Sequence, residues 1–270
     1  MSESLRKRVA TAAVLIALLL VVLFALPAAA TVALLTLVVL GGAWEWSAFL
    51  KLTAPAARLA YVGVVAVLLP VAWRVTLTPG GLQALLAATL LWWLLALVWI
   101  VVAPRRVAPW SAAVAGMLSL APAWLALTRL RLQTAHGAQW VLFALVLVWM
   151  ADIGAYFCGR RYGRRRLAPS VSPGKTWAGA WGGLAASAIV AVLGGIWFAL
   201  PLGRFVVLCL AAVAFSIVGD LTESLLKRFA GMKDSGTLFP GHGGVMDRID
   251  SVTGAVPVLL LGLTFLGVLP

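Results

Sequence analysis

Apolar runs long enough to cross a bilayer recur from one end of this 270-residue chain to the other, and nothing else in the sequence limits its fold as much. In hydrocarbon every backbone N–H and C=O must be paired inside the protein, so such a chain folds as a bundle of membrane helices. Hydropathy and turn residues place nine spans, at approximately 9–26, 29–50, 57–73, 82–103, 110–128, 139–158, 176–200, 204–226 and 251–269. Pro70 and Pro122 fall inside spans, where they favour kinks. Arg6-Lys7-Arg8, the apolar run behind it and Ala28-Ala29-Ala30 have the layout of a secretory signal. That run is long for a signal and reads instead as a first membrane helix ending at Pro27. The expected fold class is therefore all-α, a single polytopic integral membrane domain over 1–270. A hydrophobic content of 63% and a mean hydropathy of +1.07 agree, and no polar block is large enough for a separate soluble domain.

A net charge of +13 would suggest nucleic acid in a soluble protein, but in a membrane protein it first reports topology. With the N-terminus inside, 17 of the 21 Lys and Arg residues fall on the inner side. Only Arg74, Arg129, Arg131 and Arg204 fall outside. The sequence thus predicts a cytoplasmic N-terminus, an external C-terminus and no nucleic-acid partner. Trp44, Trp46, Trp73, Trp110, Trp140, Trp177 and Trp197 lie near span ends, as an interfacial belt requires, whereas Trp92 and Trp93 read as packing residues. Cys158 and Cys209 have neither disulfide nor metal-type spacing and also read as packing residues.

The acids are distributed unevenly. Of eight carboxylates only Glu3 and Glu45 precede residue 150; the others are Asp152, Asp220, Glu223, Asp234, Asp247 and Asp250. The predicted topology gathers all six at the inner ends of spans 6, 8 and 9 or in the loop between 8 and 9. At the edge of a low-dielectric medium that clustering is costly unless cations, partners or water compensate. Asp220, Glu223, Ser224 and Lys227 recur at helical spacing and share one stripe, and Asp247, Asp250, Ser251 and Gly254 repeat the pattern on the next helix. Two such stripes can face each other across a pocket; the plainer alternative is a solvated helix end with intrahelical ion pairs. The loop Ser235–Gly244 is rich in glycine; glycines such as Gly243 and Gly244 let backbone N–H groups turn toward an anion, and Ser235 and Thr237 add hydroxyl donors, although a simple connecting turn would look similar.

The loop between spans 6 and 7, GRRYGRRRLAPSVSPGKTW, is strongly basic. Its simplest reading is topology and attraction to anionic headgroups. SPGKT resembles a P-loop only superficially, because a Walker A motif needs glycine where Pro169 stands and a strand before it. Lys175, Ser172 and Thr176 remain candidate phosphate ligands of another kind. Carboxylates for a hard divalent cation beside Lys, Arg, Ser and Gly for phosphates are the equipment of phosphoryl or nucleotidyl transfer. A transporter would place its polar residues at mid-membrane or on both sides, and these acids lie on one side.

The stretch SLLKRFAGMKDSGTLFPGHGGVMDRIDS, Ser224 to Ser251, closely resembles the signature of the phosphatidate cytidylyltransferases, the CDP-diacylglycerol synthases, at every fixed position. ADIGAYFCGRRYG and LAPSVSPGKTWAG resemble further family segments, so the specific likeness covers about residues 149–258 and marks a catalytic half. Residues 1–148 agree mainly in hydropathy and read as scaffold. Two positions depart from the family: Ile153 replaces the usual Thr of D-T-G-A, and Ala178 the usual Glu of W-E-G. The resemblance implies transfer of CMP from CTP to phosphatidic acid, giving CDP-diacylglycerol and pyrophosphate, in phospholipid biosynthesis at a bacterial inner membrane with the site facing the cytoplasm. It implies Mg²⁺ held by Asp220 and Asp247, with K⁺ near the same carboxylates. Lys227, Arg228, Lys233, Arg248 and Lys175 would contact phosphate and pyrophosphate, and Asp234 and Asp250 would orient those groups. Ser224, Ser235, His242 and Asp152 would be secondary contributors. A homodimer is compatible with this reading.

Overall fold

A computed structural model describes residues 3–133, 136–236 and 243–268, with side chains from residue 13 onward. Nine α-helices appear among the described residues: α1 (Glu3–Phe24), α2 (Ala28–Phe49), α3 (Pro55–Val75), α4 (Gly81–Val102), α5 (Pro109–Gln133), α6 (Gly137–Tyr162), α7 (Trp177–Trp197), α8 (Leu202–Phe229) and α9 (Met246–Phe265). Eight, α2 to α9, are long and apolar enough to cross a membrane; the apolar stretch described in α1 is Ala13–Phe24. Every predicted span has its helix. The ends differ where charge begins: α6 continues through Arg160 and Arg161 to Tyr162, α8 through Lys227 and Arg228 to Phe229, and α9 starts at Met246 instead of residue 251. Hydropathy detects only the part that belongs in hydrocarbon. Basic residues in a last turn and Asp247 in a first turn complement the helix dipole, so the backbone stays helical into the interface.

The helices are arranged around α5 and α9, whose membrane windows are 72% and 67% buried inside the protein, against 28% for α4. Residues 119–130 of α5 are buried without a break, which is the pattern of a helix with protein on every side. α6 and α7 pack intimately through small residues, and Ser187 Oγ donates to the Leu147 carbonyl at 3.0 Å across that contact. α8 and α9 approach as closely. A Cβ at Gly219 would sit 2.5 Å from the Asp250 carbonyl oxygen, and one at Gly254 would strike the Phe215 carbonyl. Only glycine permits this crossing, and the crossing sets the two acidic stripes side by side.

Between α6 and α7 the basic loop forms an antiparallel hairpin, β1 (Arg166–Ala168) and β2 (Ser172–Thr176), with Arg166 opposite Thr176 and Ala168 opposite Ser172. The hairpin is pinned by Val171, 1% exposed, in a cluster with Trp93 and Ile100 of α4 and Val218 and Leu221 of α8.

The tryptophan belt needs correction at two positions. Trp46 and Trp140 are 2% and 3% exposed: Trp46 Nε1 donates to the Ala112 carbonyl at 2.8 Å, and Trp140 stacks on Phe198 at 3.7 Å. Distance from a span end gives depth in the membrane but not which side of the helix faces lipid. Trp110 and Trp197 are well exposed, and Trp93 is buried as a packing residue should be.

Candidate active site

Lys227 lies at the centre of the α8–α9 contact. Its ammonium donates to Glu223 Oε2 at 2.9 Å, one turn back on α8, and to Asp247 Oδ1 at 2.7 Å on α9. The stripes thus meet directly through Lys227 and not across a pocket, and the intrahelical pair with Glu223 is buried where a solvated helix end would be exposed. The second Asp247 oxygen accepts from the backbone N–H groups of Ser235 (3.1 Å) and Gly244 (2.8 Å), so one carboxylate ties α8, the following turn and α9 together. Gly243 has φ +79, and a Cβ there would lie 2.5 Å from Asp247 Oδ2, so both backbone conformation and space call for glycine.

Glu45 on α2 completes this junction. It is 6% exposed and its Oε2 accepts from Ser235 Oγ (3.0 Å) and the Met246 backbone N–H (2.8 Å). A Cβ at Gly236 or Gly244 would collide with its carboxylate. Nothing in the sequence reading assigned Glu45 a role. The available signal was a carboxylate near the end of an otherwise apolar span, which must find donors to be tolerated.

Glu223 is 1% exposed, and its Oε1 has no hydrogen-bond donor among the described residues. It lies within reach of Asp250, which in turn interacts electrostatically with Asp220. Asp250 Oδ1 accepts from its neighbour, the Ser251 N–H, at 2.6 Å. Carboxylates so placed require positive charge between or beside them.

A cavity of about 470 Å³ opens next to this chain of acids, between α6, α7, α8 and the hairpin. Asp152, Arg160, Arg166, Lys175 and Asp220 supply its charged lining, and Ala151, Gly183, Val213 and Ile217 extend it toward membrane depth. The Lys175 ammonium is in ion contact with Asp220 but not aligned for a hydrogen bond, and Asp152 interacts with both. Thr176, 5% exposed, also lines the cavity; its Oγ1 accepts from the Gly179 N–H at 3.1 Å and caps α7.

The other candidates are spread more widely. Ser172 begins β2, Ser224 is buried on α8, and Arg228, Lys233, Asp234 and Arg248 are exposed around the same end of the bundle. His242 lies outside the described residues. Arg160 and Arg166 line the cavity although the sequence alone offered them only topology and a general attraction to anionic headgroups. The separating signal is three-dimensional, since five arginines between positions 160 and 166 look alike in one dimension.

The chain is 43% identical over 267 residues to the phosphatidate cytidylyltransferase of Pseudomonas aeruginosa, covering 94% of this chain and 95% of that protein. It is 40% identical over 282 residues to the phosphatidate cytidylyltransferase of Haemophilus influenzae, covering 94% and 96%. The phosphatidate cytidylyltransferase of Brucella suis is 46% identical over 138 residues, about half of each chain. The model of the cytidylyltransferase family matches residues 6–266, so a site built from α6, the hairpin, α8 and α9 falls wholly within the match, and the chain is a member of the cytidylyltransferase family.

Proposed function

We propose that this protein transfers the cytidylyl group of CTP to phosphatidate, forming CDP-diacylglycerol and pyrophosphate, on the cytoplasmic side of a bacterial inner membrane. The observation that carries the proposal is the cavity: Asp152, Lys175 and Asp220 at one end, and at the other an apolar wall, Val213 and Ile217, at membrane depth. One such space suits a soluble nucleotide and a lipid that must meet. The inner-side excess of Lys and Arg supports the orientation.

In this reading a phosphate oxygen of phosphatidate attacks the α-phosphorus of CTP. The bond from that phosphorus to the oxygen bridging the β-phosphate breaks, its electron pair leaves with pyrophosphate, and cytidylyl is joined to the lipid phosphate. The nucleophile is already an anion, so no general base is required. Catalysis then rests on positioning and charge neutralisation. Lys175, paired with Asp220 at the cavity wall, can add a phosphate oxygen with its remaining N–H groups. Lys227, Arg228, Lys233 and Arg248 stand at the same end of the bundle to meet the remaining phosphate charge. Asp234 and Asp250 orient these groups.

The described residues contain no group of three His, Cys, Asp or Glu side chains that would cage a metal ion. Mg²⁺ would need only one or two carboxylates, the rest of its shell being water and substrate phosphates. Asp220, facing the cavity, and Asp247 would hold it, and when bound it would offset charge on the triphosphate. K⁺ near the same carboxylates belongs to the proposal as well.

The test is direct. Purified protein in detergent, given CTP labelled at the α-phosphorus, Mg²⁺ and phosphatidic acid, should yield labelled CDP-diacylglycerol and equimolar pyrophosphate. Folded protein that forms neither would refute the proposal.

A further inference from the structure

Residues 160–166 contain five arginines, Arg160, Arg161, Arg164, Arg165 and Arg166, and as topological charges they are equivalent. In the folded chain they are not. Helix and strand geometry turn only Arg160, in the last turn of α6, and Arg166, first residue of β1, into the cavity. Arg161 instead lies over the Tyr162 ring at 5.6 Å. Arg160 Nη1 donates to Tyr156 Oη at 3.0 Å, which fixes the guanidinium against another cavity residue. No carboxylate among the described residues forms a salt bridge with Arg160 or Arg166, whereas Lys175 is neutralised by Asp220. The cavity thus contains two guanidiniums whose charge is not balanced in place.

We infer that Arg160 and Arg166 bind the phosphate of the lipid substrate and set the enzyme's preference for a phosphorylated lipid. The inference rests on the function proposed above. Transfer there brings two polyanions into one cavity, and the carboxylate–cation end already serves the triphosphate. The lipid phosphate needs donors of its own, and guanidinium is the side chain suited to bidentate phosphate contact. Direction agrees. From Asp220 the α8 wall descends through Ile217 and Ser216 to Val213, seven residues or about 10 Å along a helix. A lipid with its headgroup on the arginines can lay its glycerol and first methylenes along that wall.

Phosphate could also come from the tail of CTP, so the test must separate the two sources. Arg160→Gln and Arg166→Gln should each raise KM for phosphatidic acid about 10- to 100-fold, with KM for CTP changed less than about threefold. Arg166→Lys should fall between wild type and Arg166→Gln, since a point charge keeps attraction but loses the fork. Arg161→Gln and Arg164→Gln, which do not line the cavity, should leave both KM values unchanged. Native mass spectrometry in detergent supplies a readout independent of turnover: wild type should retain phosphatidic acid over diacylglycerol, and the two Gln variants should lose that preference. The inference is overturned if KM for CTP rises instead, if all four Gln variants behave alike, or if lipid preference survives in Arg160→Gln and Arg166→Gln. An inactive wild type that still shows the arginine-dependent preference would sink the proposed reaction and leave this inference standing.

Discussion

Asp247 and Asp220 are each met by one lysine, yet the two ends of the site are organised in opposite ways. Around Asp247 every oxygen is engaged: Lys227 on one side, the N–H groups of Ser235 and Gly244 on the other, with Glu45 fastening the same turn from α2. Side-chain exposure is 15% for Asp247 and 12% for Lys227. Around Asp220 the one ion contact among the described residues is with Lys175, side-chain exposure is 27%, and the carboxylate fronts a cavity. A fully partnered acid organises chain segments, and a partly partnered one is free to bind something else. Asp247 is thus a fastening between chain segments, while Asp220 is the carboxylate left most open to the cavity.

That contrast breaks most sharply if both aspartates are changed to asparagine. Asp220→Asn should lower turnover by about 10³-fold or more with a thermal unfolding midpoint close to wild type, because it removes charge where charge is needed and little else. Asp247→Asn should be equally inactive and also melt several degrees lower, since an amide cannot accept from Lys227 and two N–H groups together. Equal melting behaviour would erase the distinction. Next in size, Lys227→Met should cost about 3 kcal/mol in unfolding titrations, because it leaves Glu223 and Asp247 facing each other without their cation. Glu45→Gln should cost about 1–3 kcal/mol while the carboxylates of α8 and α9 remain untouched. If its turnover fell while its unfolding free energy stayed at the wild-type value, Glu45 would belong to the chemistry rather than to the fastening.

Much of this was legible in the sequence because membrane solvation is a severe filter. Every span follows from hydropathy, and the paired stripes of α8 and α9 follow from helical spacing, since Gly219 and Gly254 leave little choice about how those helices cross. What escaped depends on azimuth and on contacts distant in sequence. Glu45 meets Ser235 across 190 positions, and no local pattern announces such a bond. The hairpin 166–176 escaped because it is held by Val171 seated between α4 and α8, with Leu167 and Ala168 against the same cluster, and not by an alternating strand pattern. Arg160 differs from Arg161 only by a helical rotation of about 100°, which decides between cavity and interface.

The smallest expected effect on stability is the most informative about the comparison. Lys175 is the counterpart of Lys227, a lysine on an aspartate, but it sits on β2 rather than within the helix contact, and its side chain is 25% exposed. Removing it as Lys175→Met leaves Asp220 facing a cavity that water can fill, so the uncompensated charge is solvated, not stranded. The loss should stay within about 1 kcal/mol. Affinity for a divalent cation should move the other way: with the ammonium gone, Mn²⁺ titrated without nucleotide and followed by electron paramagnetic resonance should bind more tightly than to wild type. Lys227→Met, whose fold is loosened at the fastening itself, should show no such gain. If Lys175→Met destabilised the protein as much as Lys227→Met, the cavity end would be as rigidly built as the junction, and the division between organising and available carboxylates would fail.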